Sequence, residues 1–234
     1  MEKIIQFHKT LNQDLWDGET LKKEVKKTLD RVSKEFIKFL KIDETPSDIL
    51  LIGSLANYNY TEFSDMDIHV VVDFAAIGKD KKFIKEYFDA KKFVWNHEHD
   101  IKIFGYEIEC YVQDKDEKNS STAVYSIKNS EWLKKPSNEN PKIDMVAVRY
   151  KAKDFSEQID MAKGDLESLT SLKEKIKKMR QAGLDKVGEY SVENLTFKAL
   201  RHSGKIKKLL DYAKNIFDKD LSLAESQDWE NLLI

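Results

Sequence analysis

Cysteine, proline and glycine are scarce in this sequence of 234 residues, which contains 1 Cys, 3 Pro and 8 Gly. A single cysteine, Cys110, excludes an intramolecular disulfide and a zinc site built from several cysteines. So few prolines and glycines exclude a fibrous or low-complexity chain. The 41% of hydrophobic residues excludes a disordered one. What remains is a globular chain, long enough for one large domain or two small ones.

Long apolar runs and an excess of one charge are also missing. No stretch approaches the ~18 apolar residues of a membrane span, and the N-terminus lacks the pattern of a secretory signal. We therefore expect a cytoplasmic protein with no membrane partner. The 40 basic and 42 acidic residues nearly cancel, which argues against a protein that holds duplex DNA by neutralising phosphates. Charged residues still make up 35% of the chain, which indicates long, solvated helices.

The first part of the chain alternates between helical and strand patterns. Apolar residues at steps of three and four predict an amphipathic helix at 19–41 and another from Lys81 to about His97, with Asp80 as its N-cap. The residues of the second helix expected to face the core are Phe83, Ile84, Tyr87, Phe88 and Val94. The segments expected to form strands are 48–52, 66–74, 101–104, 106–112 and 122–128.

A segment rich in Pro, Ser and Asn, 136–141, is the best candidate for a linker. Helices are predicted beyond it at 143–163, 165–181 and 191–217, with interruptions at the glycines and an N-cap at Ser191. The glycines expected to interrupt these helices are Gly164, Gly183 and Gly188. These patterns predict a domain of helices and strands at 1–135, followed by a helical domain at 142–234.

Two aspartates, Asp65 and Asp67, open the strand at 66–74. Side chains alternate along a strand, so both carboxylates leave the same face. Carboxylates this close repel one another unless a cation lies between them, and oxygen ligands suit Mg²⁺. A third carboxylate is available in the strand YEIECYV, where Glu107 and Glu109 share a face.

Ahead of this pair, the strand at 48–52 ends at Gly53 and Ser54. Glycine lets the backbone turn and come close to a phosphate. The serine then offers a hydroxyl and an N–H group, aimed outward where a helix begins.

The order strand, Gly-Ser, about ten residues, Asp-x-Asp and then an acidic strand resembles the polymerase-β-like nucleotidyltransferase superfamily. The resemblance rests on Gly53, Ser54, Asp65, Asp67 and, as third acid, Glu109. It covers about residues 48–113, and a looser likeness at 188–212 is to the helical tails of small, often phage-encoded members. Glu in place of the commoner Asp is a departure, and Glu107 fits almost as well.

The resemblance implies an α+β fold, with a nucleotidyltransferase-type mixed sheet flanked by helices and a helical bundle after it. It also implies a reaction. A nucleoside triphosphate, ATP among them, would bind along Gly53 and Ser54, with two Mg²⁺ ions (Mn²⁺ as an alternative) held by Asp65, Asp67 and Glu109. An acceptor hydroxyl would attack the α-phosphorus and release pyrophosphate. The acceptor class stays open: a small molecule, an RNA end, a protein side chain or another nucleotide.

The triphosphate also needs cations, which we expect from the helical region. Lys198, Arg201, Lys205 and Lys208 can line one helical face. Among them Arg201 and Lys205 are the predicted nucleotide-binding residues, and Arg149 with Lys151 is a second choice. The aromatic candidates for stacking on the base are Tyr58, Tyr60 and Tyr190.

Two other functions are compatible with these residues. One is a catalytically silent protein that senses nucleotides or binds a partner on the same fold. The other is a metal-dependent hydrolase that uses the same acids, but hydrolysis does not account for the Gly-Ser turn. The leading expectation is the transferase.

Overall fold

The structure is a computed structural model that describes residues 6–119, 121–137 and 141–222. The chain divides between Pro141 and Lys142 into two compact units. The predicted linker at 136–141 includes residues 138–140, which lie outside the described residues. Within the described ranges, no helix is both long and apolar enough to cross a membrane.

The unit that ends at Pro141 contains eight strands and three α-helices among its described residues. In chain order they are β1 (Trp16–Asp17), β2 (Thr20–Leu21), α1 (Lys23–Leu40), β3 (Asp48–Ile52), β4 (Met66–Val72), α2 (Phe74–Ile77), α3 (Lys81–Glu98), β5 (Lys102–Ile103), β6 (Tyr106–Asp114), β7 (Val124–Ser126) and β8 (Glu131–Lys134). Six strands form one sheet in the order β5-β6-β4-β3-β7-β8. Only β4 and β6 are parallel; the other neighbours are antiparallel.

This mixed sheet confirms the α+β class predicted from the sequence. Helix α3 connects β4 to β6, as expected because two parallel strands need a crossover connection. One side of the sheet packs with α1 and α3 into the main core, and the residues of this core that lie on β4 are Met66, Ile68, Val70 and Val72. The side chains between them, including Asp67 and His69, therefore belong to the opposite side.

Helix α1 forms because its apolar residues recur on one face. Val25, Leu29, Val32, Phe36 and Leu40 are all buried. The helix ends at Lys41, which adopts a left-handed conformation with φ 54°.

Helix α3 begins where Asp80 caps it by accepting a hydrogen bond from the backbone N–H of Phe83. Its predicted inward face was partly wrong. Ile84, Phe88 and Trp95 are buried, whereas Phe83 is 66% exposed. Tyr87 and Val94, also predicted to face inward, are 40% exposed.

The edge of β6 beyond its short pairing with β5 is covered by α3. The side-chain amide of Asn96 donates to the carbonyl of Cys110 at 3.1 Å and accepts from its N–H at 3.0 Å. This pair satisfies backbone groups that a sheet edge would otherwise leave open.

The second unit contains four helices among its described residues: α4 (Met145–Met161), α5 (Leu166–Lys186), α6 (Val192–His202) and α7 (Lys205–Leu221). Ser191 caps α6 by accepting from the N–H of Asn194, as predicted. Two other expectations were wrong. Gly183 lies inside α5 and is buried, and the helix predicted at 191–217 is broken at Ser203 and Gly204, where Gly204 has φ 72°.

Candidate functional site

The turn after β3 places Gly53 against Asp67. Gly53 has φ 80° and ψ −164°, a conformation that residues with a side chain essentially do not adopt. A Cβ atom built on Gly53 would lie 2.2 Å from Oδ2 of Asp67. The missing side chain is therefore the reason that the backbone and this carboxylate come so close.

Ser54 begins a short 3₁₀ turn, Ser54–Ala56. Its hydroxyl hydrogen-bonds to the hydroxyl of Ser64 at 2.7 Å, and Ser64 in turn accepts from the backbone N–H of Thr61. Ser64 directly precedes Asp65. The predicted phosphate-binding serine is thus tied to the loop that carries the first aspartate.

Asp67 and Glu109 are direct partners in the ladder between the parallel strands β4 and β6. Partner residues leave the same side of a sheet, and Ile108 and Cys110, on either side of Glu109, are buried on the other. Strand pairing thus places the second aspartate beside the predicted third acid. Asp65 stands immediately before β4 and is half-buried.

Glu107, the alternative third acid, has another neighbour. Its partner in the ladder is Lys102 of β5, and Lys102 Nζ lies 3.2 Å from Glu107 Oε1. Of the two glutamates, Glu109 is the one beside Asp67.

The carboxylates have the chemistry of ligands for a hard divalent cation, and strand pairing puts two of them side by side. Oxygen donors are what Mg²⁺ binds, and the space left by Gly53 is next to an Asp67 oxygen. The side chains are not gathered into a finished site. Among residues 6–119, 121–137 and 141–222, no group of three His, Cys, Asp or Glu side chains is placed to hold a metal ion.

Behind the carboxylates, the same side of the sheet carries His69. Its Nδ1 hydrogen-bonds to Gln113 Oε1 at 2.8 Å, and its ring lies 4.6 Å from that of Tyr111. Burial lowers the pKa of His69, and the nearby Lys92 and Lys85 lower it further. The imidazole is therefore a neutral, hydrogen-bonded group at pH 7.

Two lysines of α3 contact Tyr111 beside His69, and neither was predicted from the sequence. Lys85 donates a hydrogen bond to the hydroxyl of Tyr111. Lys92 Nζ lies 4.7 Å from the centre of the Tyr111 ring. Their seven-residue spacing was the available signal, because it puts both on one face of a helix.

The predicted nucleotide-binding cations lie in the second unit. Arg201 is exposed in the last turn of α6. Lys205 is the first residue of α7 and forms an ion pair of 2.6 Å with Asp160. Because the predicted helix is interrupted at Ser203 and Gly204, the expected basic row is divided between α6 and α7. A phosphate-binding role for either residue remains a prediction.

Lys151, one of the two second-choice cations, and two of the three tyrosines proposed to stack on the base contact other residues of their own units. Lys151 forms an ion pair with Glu193. Tyr58 and Tyr60 pack against the main core, and the ring of Tyr60 stacks on His8 at 3.8 Å. Part of the ring surface of these two tyrosines is thus already in contact with other residues of the protein.

Comparison with known proteins yields no relative for this arrangement. No protein-family model, no curated protein and no solved structure matches this chain.

Proposed function

We propose that this chain is an Mg²⁺-dependent nucleotidyltransferase that moves a nucleoside monophosphate from a nucleoside triphosphate to a hydroxyl acceptor. One observation carries the proposal: Asp67 is the ladder partner of Glu109 and lies against the glycine backbone of the turn after β3. The order of these elements is the one that resembles the polymerase-β-like superfamily. A mixed sheet with these acids on one side is compatible with that fold.

Each residue has a distinct task in this reaction. The backbone at Gly53 and the N–H and hydroxyl of Ser54 would position the triphosphate. Asp65, Asp67 and Glu109 would hold Mg²⁺, which supplies positive charge to the phosphates and the acceptor oxygen. The acceptor oxygen bonds to the α-phosphorus while the bond to the β-phosphate oxygen breaks and pyrophosphate leaves. The acceptor's proton passes to the Glu109 carboxylate.

Pyrophosphate release tests the proposal. The purified protein is incubated with Mg²⁺, each of the common nucleoside triphosphates and pools of small-molecule, RNA, protein and nucleotide acceptors. We expect Mg²⁺-dependent release that Asp67→Asn lowers by about a hundredfold or more, since it removes a negative charge that would hold Mg²⁺ beside the reacting phosphates.

The matched control is Asp116→Asn. This exposed aspartate lies 2.8 Å from Lys81, outside the site, so its loss is expected to leave the rate unchanged. Equal rates for wild type and Asp67→Asn would contradict the proposal.

The alternative, a protein that binds nucleotides without turnover, is favoured by one observation. The three carboxylates are not gathered into a metal site among the described residues. Calorimetry with a triphosphate separates the two functions. Binding with no pyrophosphate from any acceptor pool supports the sensor, whereas release supports the transferase.

A further inference from the structure

Helix α1 carries a row of basic side chains on the face opposite the core. The row consists of Lys23, Lys27, Arg31, Lys34 and Lys38, and Lys41 continues it directly after the helix. At 100° per residue the five positions within the helix fall within about 80° of one another, and they span about 22 Å along its axis. All six residues are exposed. We call this row the α1 stripe.

Within the described ranges, the cations in the middle of the stripe have no acidic partner. Among the described residues, no carboxylate lies within 4.0 Å of Lys27, Arg31 or Lys34, and the same holds for Lys23. Lys38 is 2.7 Å from Glu35, but this pair is exposed, and such pairs contribute little. The stripe therefore presents concentrated positive charge on a chain whose net charge is −2.

Carboxylates border the stripe on both sides. On a helical projection Glu24 and Glu35 lie along one side and Asp30 along the other. Asp30 is held by Lys26 at 2.9 Å, which lies outside the stripe. A narrow cationic row between acidic borders suits one row of phosphates, because a second row would face carboxylates.

The outer face of α1 has no apolar side chains for a membrane. The large hydrophobic residues of α1 are buried or packed against the main core, and none is among the exposed ones. A helix that lies in a bilayer interface buries an apolar face there. A polyanion in solution is thus the better match.

We propose that the α1 stripe binds the phosphate backbone of a single-stranded nucleic acid. Successive cations are four or three residues apart, or about 6 Å and 4.5 Å along the axis, so one strand that follows the helix meets a cation at each step. Release of counterions from the strand drives such binding and makes it dependent on salt. The inference does not require the carboxylates on β4 and β6.

Fluorescence anisotropy with a labelled oligouridylate of about 12 nucleotides tests it, in EDTA and over a series of salt concentrations. The stripe variant is Lys27→Gln/Arg31→Gln/Lys34→Gln. Each phosphate contact contributes about 0.7 to the slope of log K against log salt for a single strand. We therefore expect the variant to reduce the magnitude of this negative slope by about 2. Binding at low salt should weaken by about tenfold or more.

A charge-matched control is available on α5. Lys173, Lys177 and Lys178 are exposed, and among the described residues they have no acidic partner within 4.0 Å. Lys173→Gln/Lys177→Gln/Lys178→Gln changes net charge by the same amount, and we expect it to keep the wild-type slope. Circular dichroism checks that both variants are folded.

The proposal would be overturned if wild type does not bind the oligonucleotide, or if both triple variants lose the same amount of affinity. An unchanged slope in the stripe variant would overturn it as well. Binding of vesicles with anionic lipids but not of RNA would also overturn it. Asp67→Asn distinguishes this proposal from the transferase. It should bind the oligonucleotide like wild type even where nucleotidyl transfer is lost.

Discussion

Replacing Gly53 with alanine is the substitution for which the structure gives the most definite expectation. The backbone there has φ 80° and ψ −164°, and holding a residue with a side chain in this region costs about 1–3 kcal/mol. The added Cβ would also meet Oδ2 of Asp67 at 2.2 Å, far inside any normal contact. The carboxylate has to move or the turn has to open.

Gly105→Ala separates these two effects. Gly105 also has a positive φ, 88°, but no atom of the described residues lies within 4 Å of a Cβ built there. A residue forced into a left-handed conformation costs about 1–2 kcal/mol. We expect Gly105→Ala to lower the free energy of unfolding by about that amount, and Gly53→Ala to lower it by more because it adds the clash with Asp67.

Urea denaturation measures both free energies, and the pyrophosphate assay measures activity on the same samples. Gly53→Ala should lose nucleotidyl transfer even where it is folded, whereas Gly105→Ala should keep it. A Gly53→Ala protein that is no less stable than Gly105→Ala and also keeps nucleotidyl transfer would refute the contact between the turn and Asp67.

Three further predictions concern stability. Because burial lowers the pKa of His69 below 6.5, the unfolded chain binds that proton more readily, so stability should fall as the pH drops through about 6.5. In urea titrations at pH 7 and pH 5, His69→Asn should show a smaller loss than wild type; an equal loss would contradict this. Asn96→Ala should cost about 1–3 kcal/mol in the same assay, since it leaves the backbone of Cys110 without its partners; no loss would mean that the edge pairing is unimportant. Phe36→Ala, at a fully buried ring, should cost about 3–5 kcal/mol by thermal or urea unfolding, and a loss below 1 kcal/mol would contradict a tightly packed core.

Local patterns predicted most of the elements. The strand at 48–52 has the predicted bounds, and the N-caps Asp80 and Ser191 were correct. These features depend on neighbours in sequence, such as side-chain alternation or a cap three residues before its partner. Short elements such as β8 at Glu131–Lys134 were missed, because their pairing comes from the sheet and not from their own pattern.

Tertiary placement was harder to predict. Phe83 and Tyr87 lie on the apolar side of α3, but how far the helix is covered depends on its neighbours, and both are exposed. The break at Gly204 was missed for a related reason, since a single glycine in a helical pattern is often tolerated.

The candidate site shows the same division. The sequence could propose Asp65 and Asp67 as candidate metal ligands from their spacing, whereas only the strand register shows that Glu109, and not Glu107, lies beside Asp67. A shift of register by two residues would put Glu107 beside Asp67 in place of Glu109. The contacts of Lys85 and Lys92 with Tyr111 could not be predicted, because they depend on where α3 packs against the sheet.

Asp67 and Glu109 are proposed to act together on the triphosphate, and two substitutions on β6 separate this role from that of the neighbouring Glu107. Glu109→Gln and Glu107→Gln make the same chemical change two residues apart on β6. In the pyrophosphate assay with Mg²⁺ we expect Glu109→Gln to lose about a hundredfold or more in rate, while Glu107→Gln, which only loses its exposed pair with Lys102, retains wild-type activity. Equal rates for the two variants, or a loss confined to Glu107→Gln, would contradict a joint role of Asp67 and Glu109.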